Sequence, residues 1–210
     1  MGKNDQLKVL KGVDIQIAHS EILTITGHSG AGKSTLLHIL GALDRPSKGQ
    51  LLFKGKAISE MNDAALAKFR NRQYGFVFQF HHLLPEFSAL ENVAIPGFIA
   101  RRNKEEVIED AKKLLEKVGL SKRLDHKPSE LSGGEQQRVA FARALINDPT
   151  MVMADEPSGN LDLKNSQALH ELMWQMVKDE NKSFVVVTHN QELAARADRT
   201  IELYDGMIRR

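Results

Sequence analysis

Cysteine is absent from the 210 residues, so the chain cannot form disulfides, zinc–thiolate sites or a thiol nucleophile. No apolar run approaches the ~18 residues of a membrane-spanning helix. Neither sign of charge dominates, because 29 Lys and Arg face 27 Asp and Glu, and the basic residues are scattered. We therefore expect no nucleic-acid partner. With 41% hydrophobic residues, we expect a soluble, cytoplasmic globular protein rather than a disordered one.

Short apolar and β-branched runs alternate with amphipathic stretches, which indicates an α/β fold with a mainly parallel sheet. The predicted strands are residues 21–26, 50–53, 74–78, 151–154, 184–187 and 199–203. The last four have near-continuous apolar cores, as strands covered on both faces do. Helices are predicted over residues 33–40 and about 163–180, where Leu169, Met173 and Met176 form a stripe that should face the core.

The middle of the chain is predicted to be helical. No strand pattern interrupts residues 90–144, and Val107, Ala111, Leu115 and Val118 recur there at helical spacing with charges between them. We predict a single domain over residues 1–210. Its α/β core should comprise about 1–89 and 145–210, with a helical subdomain inserted at about 90–144.

A glycine-rich segment, GHSGAGKS at residues 27–34, fits the phosphate-loop pattern G-x-x-x-x-G-K-[ST] between a predicted strand and a predicted helix. Its backbone N–H groups would surround a phosphate, Lys33 would reach the β/γ oxygens, and the Ser34 hydroxyl would ligate Mg²⁺. The alternative is a glycine-rich turn that merely enters a helix. The candidate nucleotide-binding residues here are Gly27, His28, Ser29, Gly30, Ala31, Gly32, Lys33, Ser34 and Thr35.

Two further segments carry groups that suit phosphate chemistry. Asp155 and Glu156 end an apolar strand at the edge where ligands bind in such sheets, so Asp155 suits Mg²⁺ and Glu156 suits activation of a water. Residues 131–136, LSGGEQ, open another helix, whose serine and glycine N–H groups form a second potential anion site. By itself this second segment would be interpreted as a serine-capped helix start.

Together these segments resemble the ATP-binding cassette of ABC transporters. Gln79 after residues 76–78 (FVF), the GNLD at residues 159–162 and His189 after Thr188 complete the family's motifs in the family's order. The resemblance runs from about residue 10 to the end of the chain. It implies an ABC ATPase fold, which is a P-loop NTPase core with an inserted α-helical subdomain, and Mg²⁺-dependent hydrolysis of ATP.

The same resemblance implies a head-to-tail homodimer. ATP bound by the phosphate loop of one chain would be covered by Ser132, Gly133 and Gly134 of the other, while Asp162 would communicate across the dimer. This arrangement would explain why one chain carries two anion sites, the phosphate loop and the segment of residues 131–136.

Catalytic and metal-binding roles are also implied by the resemblance. Glu156 would activate the water and His189 would contact the γ-phosphate, whereas Gln79 would touch Mg²⁺ and the water and report to a membrane partner. Ser34, Gln79 and Asp155 would hold Mg²⁺. Without the resemblance, His189 would be interpreted as a structural histidine at the end of an apolar strand.

Residues 79–85 (QFHHLLP) and 90–93 (LENV) are similar to the ATPase subunits of bacterial lipoprotein-releasing systems. That narrower resemblance implies integral membrane permease subunits as partners, and a cytoplasmic location peripheral on the inner (plasma) membrane. Phe80, Leu83, Leu84 and Phe87 would form an apolar docking face there. The alternatives are an ATPase subunit of a macrolide-type exporter or of a cell-division ABC complex, or a soluble non-transport ABC ATPase. Without the resemblance, the His81-His82 pair indicates a surface loop, or weakly a metal site.

The sequence departs from the family in two places. The family stacks adenine on an aromatic ring shortly before the strand that leads to the phosphate loop, but no Phe, Tyr or Trp precedes Phe53 in this sequence. The family's usual first strand is also missing. Either the chain is truncated or apolar residues such as Val13 hold adenine. Asn190 stands where the family usually has Asp, which affects the positioning of His189.

Overall fold

A computed structural model describes residues 8–209. A six-stranded sheet has the strand order β4-β5-β6-β1-β7-β8, and β2 and β3 form a separate two-stranded sheet. The strands are β1 (Ile22–Thr26), β2 (Leu52–Phe53), β3 (Lys56–Ala57), β4 (Tyr74–Val77), β5 (Met151–Asp155), β6 (Ser183–Val187), β7 (Arg199–Tyr204) and β8 (Met207–Arg209). The helices are α1 (Lys33–Leu40), α2 (Asp63–Gln73), α3 (Ala89–Ile99), α4 (Lys104–Lys117), α5 (Gly133–Leu145), α6 (Leu163–Glu180) and α7 (Gln191–Arg196).

The central strands are buried on both faces. In the six-stranded sheet of residues 8–209, neighbouring β1, β4, β5, β6 and β7 pair in parallel, and only the edge strand β8 pairs antiparallel. Successive residues of a strand point to opposite faces, so Ile22 packs into the core beneath α3, α4 and α6, whereas Leu23 packs toward α1. Val152 and Met153 divide in the same way. This two-sided burial explains the continuous apolar runs and confirms the predicted α/β fold with a mainly parallel sheet.

Two strand predictions need correction. Residues 199–203 were expected to be covered on both faces, but in β7 only Leu203 is buried, because the strand lies beside the edge strand β8 and only the short α7 packs nearby. Of residues 50–53, only Leu52–Phe53 is a strand. It lies in the small antiparallel sheet, and Leu52 is 57% exposed.

Within the described residues, the stretch 89–145 contains helices and no strand. Helix α5 packs closely on the sheet, since a Cβ on Gly75 of β4 would lie 2.3 Å from the Ala144 carbonyl oxygen. One apolar cluster joins Val93, Val107 and Val152, and so connects these helices to one face of the sheet. The division into a core and an inserted subdomain stays a prediction. No helix within residues 8–209 combines the length and the apolar character that crossing a membrane needs.

Candidate functional site

The loops that follow four parallel strands meet at one edge of the sheet. Strands β1, β4, β5 and β6 run in the same direction, so their carboxyl ends lie together. The phosphate loop follows β1, Gln79 follows β4, Glu156 follows β5, and His189 follows β6. This edge is where ligands bind in open α/β sheets. Residues far apart in the chain are therefore brought to one place.

Glycine is required at two positions of the phosphate loop. Gly27 has φ +143°, and a Cβ there would lie 2.2 Å from the Leu203 carbonyl oxygen. Gly32 has φ +98° immediately before α1, in the left-handed region that side chains disfavour. The loop therefore curls tightly between β1 and α1, with backbone N–H groups of the first helical turn left to face an anion.

Lys33 lies folded against this loop. Its side chain is 7% exposed, and Nζ donates to the carbonyl oxygens of Gly27 at 2.8 Å and His28 at 3.0 Å. The first turn of α1 contains no acidic residue that would neutralise it. The ammonium group and the N-terminal end of the helix dipole thus place positive charge at the same point.

Glu156 is held beside His189 in a strained backbone conformation. Its φ is +45°, which is unfavourable for a residue with a Cβ. Oε2 accepts from the Thr188 hydroxyl at 3.3 Å and from the His189 N–H at 3.3 Å. Oε1 is buried, has no hydrogen-bond partner among the described residues, and lies 3.6 Å from His189 Nε2. One carboxylate oxygen is therefore oriented by the protein and the other is left for a ligand.

Asn190 keeps the backbone after His189 in order. Its side chain accepts from the Leu193 N–H at 2.8 Å and caps α7, and its own N–H donates to the Thr188 hydroxyl at 3.0 Å. An aspartate would accept the same capping bond. The departure from the family therefore leaves this cap intact.

The residues assigned to Mg²⁺ offer a hydroxyl, a carboxylate and an amide oxygen, from Ser34, Asp155 and Gln79, at the same edge of the sheet. Within residues 8–209 no group of three His, Cys, Asp or Glu side chains could hold a metal. Mg²⁺ needs no such group, since it binds through few protein oxygens together with phosphate oxygens and waters. The hard oxygen donors, and the unpartnered Glu156 oxygen beside them, fit a magnesium–nucleotide site.

Gln79 lies against the turn that follows Glu156. Its carbonyl oxygen accepts from Asn160 Nδ2 at 3.1 Å, and a Cβ on Gly159 would lie 3.7 Å from Gln79 Nε2. The loop after β4 and the turn after β5 therefore contact each other.

Ser132 is the N-cap of α5, which agrees with the serine-capped interpretation of this segment but not with the role given to its N–H. Its N–H was expected to face an anion, but it donates to Glu135 Oε2 at 2.8 Å, and Ser132 Oγ accepts from the Glu135 N–H. The Ser132 N–H and the Arg123 guanidinium lower the pKa of Glu135 to about 2. The groups left to meet an anion are the Ser132 hydroxyl proton and the amides of Gly133 and Gly134 in the first turn.

Asp162 lies on the same surface as this segment, to which Asn165 connects it. Hydrogen bonds from the backbone and side-chain nitrogens of Asn165, at 2.9 and 2.7 Å, lower the pKa of Asp162. Asn165 also accepts from Arg138 of α5 at 2.7 Å and lies against Gly134. No hydrogen bond or ion pair within residues 8–209 joins Ser132 or Asp162 to residues 27–34.

The apolar residues beside the phosphate loop do not include Val13, which was expected to contact adenine. A Cβ on Gly32 would lie 3.1 Å from Leu10 Cδ2 and 3.3 Å from Val9 Cγ1. Val13 instead lines a cavity of about 820 Å³ with Met151 and Ser183, which begin β5 and β6 at the opposite edge of the sheet. Val9 and Leu10 are therefore the better candidates to contact adenine.

The segment of residues 79–87, called the 79–87 loop below, exposes only part of the apolar face that was predicted for it. Phe80, Leu84 and Phe87 are exposed at 67%, 44% and 41%, whereas Leu83 packs against the core and does not belong to an exposed face. His81 is half-buried, and its ring is hydrogen-bonded through Nδ1 to the buried Gln137.

Sequence reasoning gave no role to three polar residues that organise the site, although it noted Thr188 as part of a motif. These are Gln137, Asn165 and Thr188, which contact residues of the loops described above. Their only signal in the sequence is a polar residue near a motif, which is common in any chain.

The chain belongs to the ABC transporter family, whose model matches residues 10–159. It is similar to the lipoprotein-releasing system ATP-binding protein LolD of Cytophaga hutchinsonii, at 56% identity over 200 residues that cover 95% of this chain and 91% of that protein. LolD of Porphyromonas gingivalis is 52% identical, with 96% of this chain and 92% of the relative covered. The dimeric ATP-binding cassette MJ0796, solved in a post-hydrolysis state with ADP and Pi, superimposes with a TM-score of 0.92 at 39% identity, covering 100% of this chain and 92% of that one. The fold is therefore that of an ABC ATPase.

Proposed function

We propose that this chain is the ATP-binding and ATP-hydrolysing subunit of an ABC transporter that releases lipoproteins from the inner membrane through integral membrane permease subunits. The identity of 56% to a lipoprotein-releasing ATPase over 95% of the chain carries the choice of substrate. The buried, unpartnered Oε1 of Glu156, 3.6 Å from His189 Nε2, carries the choice of hydrolysis.

Nucleotide binding rests on the loop of residues 27–35. The backbone N–H groups of this loop and Lys33 bind the phosphates of the nucleotide. Bound Mg²⁺ would neutralise phosphate charge, and Ser34, Asp155 and Gln79 are the residues that would hold it. Val9 and Leu10 provide the apolar contact for the base.

Hydrolysis rests on Glu156. Thr188 and the His189 N–H orient the carboxylate through Oε2, so Oε1 can accept the proton of a water aimed at the γ-phosphate. His189 is 60% exposed at its side chain and can contact the γ-phosphate from the same side. Gln79, next to the turn after Glu156, would contact the metal and the water.

The functional unit is a homodimer of these subunits in a head-to-tail arrangement. Ser132, Gly133 and Gly134 share a surface with Asp162 and are not bonded to the phosphate loop of their own chain. A second copy, turned head to tail, would bring its Ser132 segment over the nucleotide. MJ0796, at 39% identity, is a dimer.

Permease subunits would dock on the exposed apolar residues next to Gln79. Phe80 and Ile99 are 67% and 66% exposed, and Ile99 lines a cavity of about 390 Å³ together with Phe76, Phe78 and Pro96. Exposed apolar surface of this kind indicates a protein interface. The chain would then be peripheral on the cytoplasmic side of the inner membrane.

The decisive experiment is reconstitution with the permease subunits in liposomes that carry a radiolabelled lipoprotein. ATP should transfer the label to the soluble fraction in the presence of an acceptor protein. Glu156→Gln should keep nucleotide binding but lower phosphate release by about 10²-fold and abolish transfer, because the water loses its base. Glu192→Gln, on the exposed side of α7, is the control. ATP hydrolysis without lipoprotein transfer would instead favour an exporter or cell-division complex.

A further inference from the structure

Gln137 is a buried amide that joins three elements of the site. It lies on α5 and is 1% exposed. Its Nε2 donates to the Pro157 carbonyl oxygen at 2.6 Å and faces the Phe78 carbonyl oxygen at 3.4 Å, and its Oε1 bonds to His81 Nδ1. One side chain thus connects the helix that begins at Ser132, the 79–87 loop and the turn after Glu156.

The hydrogen-bonding inventory sets the orientation of this amide. The two backbone carbonyls only accept, so the NH₂ group must face them and the oxygen must face His81. His81 must then donate from Nδ1. Arg143, also on α5, donates to the backbone carbonyl oxygens of His81 and His82 at 2.7 Å each, which holds this part of the loop against α5. The two carbonyls therefore set which way the Gln137 amide points, and the Nδ1–H of His81 holds its oxygen.

The contact with Pro157 matters because Glu156 is strained. A positive φ at a residue with a Cβ persists only where the surroundings over-determine it. Backbone bonds link the Glu156 N–H to the Val187 carbonyl oxygen at 2.9 Å and the Gly159 N–H to the Glu156 carbonyl oxygen at 3.1 Å. Gln137 adds a side-chain bond at the next residue, Pro157. Its loss would let the turn relax and the carboxylate move.

We propose that Gln137 is a positioning residue that holds the catalytic carboxylate of Glu156 in place, with its amide oxygen held by His81. Movement of the 79–87 loop would thereby reach the general base without any contact to the nucleotide. The inference rests on the proposed role of Glu156 in hydrolysis.

Gln137→Leu removes both donors, and Gln137→Glu keeps the shape but turns a carboxylate oxygen toward the two carbonyls. Each variant should lower kcat for ATP by about tenfold or more, since small displacements of a catalytic group are costly. KM and the affinity for a fluorescent ATP analogue should stay within about twofold, because Gln137 has no bond to residues 27–35. The measurement is made on the purified full chain and on its complex with permease subunits.

The matched control is Asn147→Leu, just beyond the end of α5. Asn147 Nδ2 also donates to two backbone carbonyls, those of Asn71 and Pro96, at 2.9 Å each. It has no hydrogen bond to the turn after Glu156. This variant should lower the Tm while leaving kcat unchanged, which separates positioning from general loss of stability.

Variants of His81 give a second, independent measurement. His81→Leu removes the donor and should lower kcat as Gln137→Leu does, whereas His81→Asn keeps an N–H near the position of Nδ1 and should restore most of it. The double variant of Gln137 and His81 to Leu should be no worse than the worse single one.

Two results would overturn the inference: Gln137→Leu with wild-type kcat, or His81→Asn as impaired as His81→Leu. If Glu156→Gln itself hydrolysed ATP normally, the proposed base would be wrong instead, so the two failures can be told apart.

Discussion

Ser132 and Glu135 bond to each other reciprocally at the start of α5. Glu135 Oε2 accepts from the Ser132 N–H at 2.8 Å, and Ser132 Oγ accepts from the Glu135 N–H at 3.3 Å. Arg123 Nε donates to the other carboxylate oxygen at 3.0 Å. This capping box holds the segment in one conformation before it meets a nucleotide.

The capping box should make stability depend on acid pH. The Ser132 N–H, with Arg123, lowers the pKa of Glu135 from 4.5 to about 2 in the folded chain. A lowered pKa means that the contribution is complete above pH 4.5 and is lost as pH falls toward 2. Between pH 4.5 and pH 2, the Tm of Glu135→Gln should fall less than the Tm of the wild type. The Tm of the control Glu116→Gln, on α4, should fall as much as that of the wild type. Parallel curves for wild type and Glu135→Gln would contradict the assignment.

A composite site made by two chains predicts complementation. Ser132→Arg should block closure by its bulk but leave the phosphate loop able to bind, and Lys33→Ala should fail to bind. Each hydrogen bond lost at the phosphate is worth about 1.5–3 kcal/mol, so each variant alone should be nearly inactive. Their mixed dimer contains one intact site. Phosphate release by the mixture should therefore exceed that of either variant, provided that one competent site suffices.

Protein concentration tests the same arrangement without mutation. The specific ATPase activity of the isolated wild-type chain should rise with its concentration and then level off, as the dimer forms. A flat activity down to nanomolar protein, with only monomer seen by light scattering, would mean that one chain forms a complete site.

Base selectivity should be weak, because no aromatic ring lies before Phe53 and a stacked ring is worth about 1–3 kcal/mol per base. ATP and GTP should bind within about tenfold of each other. Val9→Ala should weaken both equally, whereas Val13→Ala, at the opposite edge of the sheet, should change neither. Titration calorimetry with both nucleotides measures this, and a strong preference for ATP would require another contact to adenine.

Docking should depend on the exposed residues of the 79–87 loop. Phe80→Asp with Leu84→Asp should abolish co-purification with the permease subunits while nucleotide binding is kept, because a carboxylate opposes burial at an apolar interface. Leu83 is not substituted in this test, because it packs on the core and its change would affect folding. Leu52→Asp, equally exposed on β2, is the matched control. Wild-type recovery of the permease with the double variant would place docking elsewhere.

The elements that sequence analysis predicted well are those with local causes. Helices α1 and α6 have the predicted bounds, since capping, apolar spacing and punctuation act within a few residues. β7 was misjudged because its apolar residues gave no information about its place near the sheet edge. Val13 was misjudged as an adenine contact because proximity to the phosphate loop along the chain is not proximity in space.

By itself, the sequence determined the strand–loop–helix of residues 21–40, the carboxylates that end β5 and the serine that begins α5, because each depends on neighbours along the chain. Only the tertiary structure decided that Thr188 orients Glu156, that Asn165 joins Asp162 to α5, and that Gln137 lies between two loops. The strand order brings together the loops after β4, β5 and β6. That order results from packing both faces of the sheet at once, a long-range condition that no local pattern records.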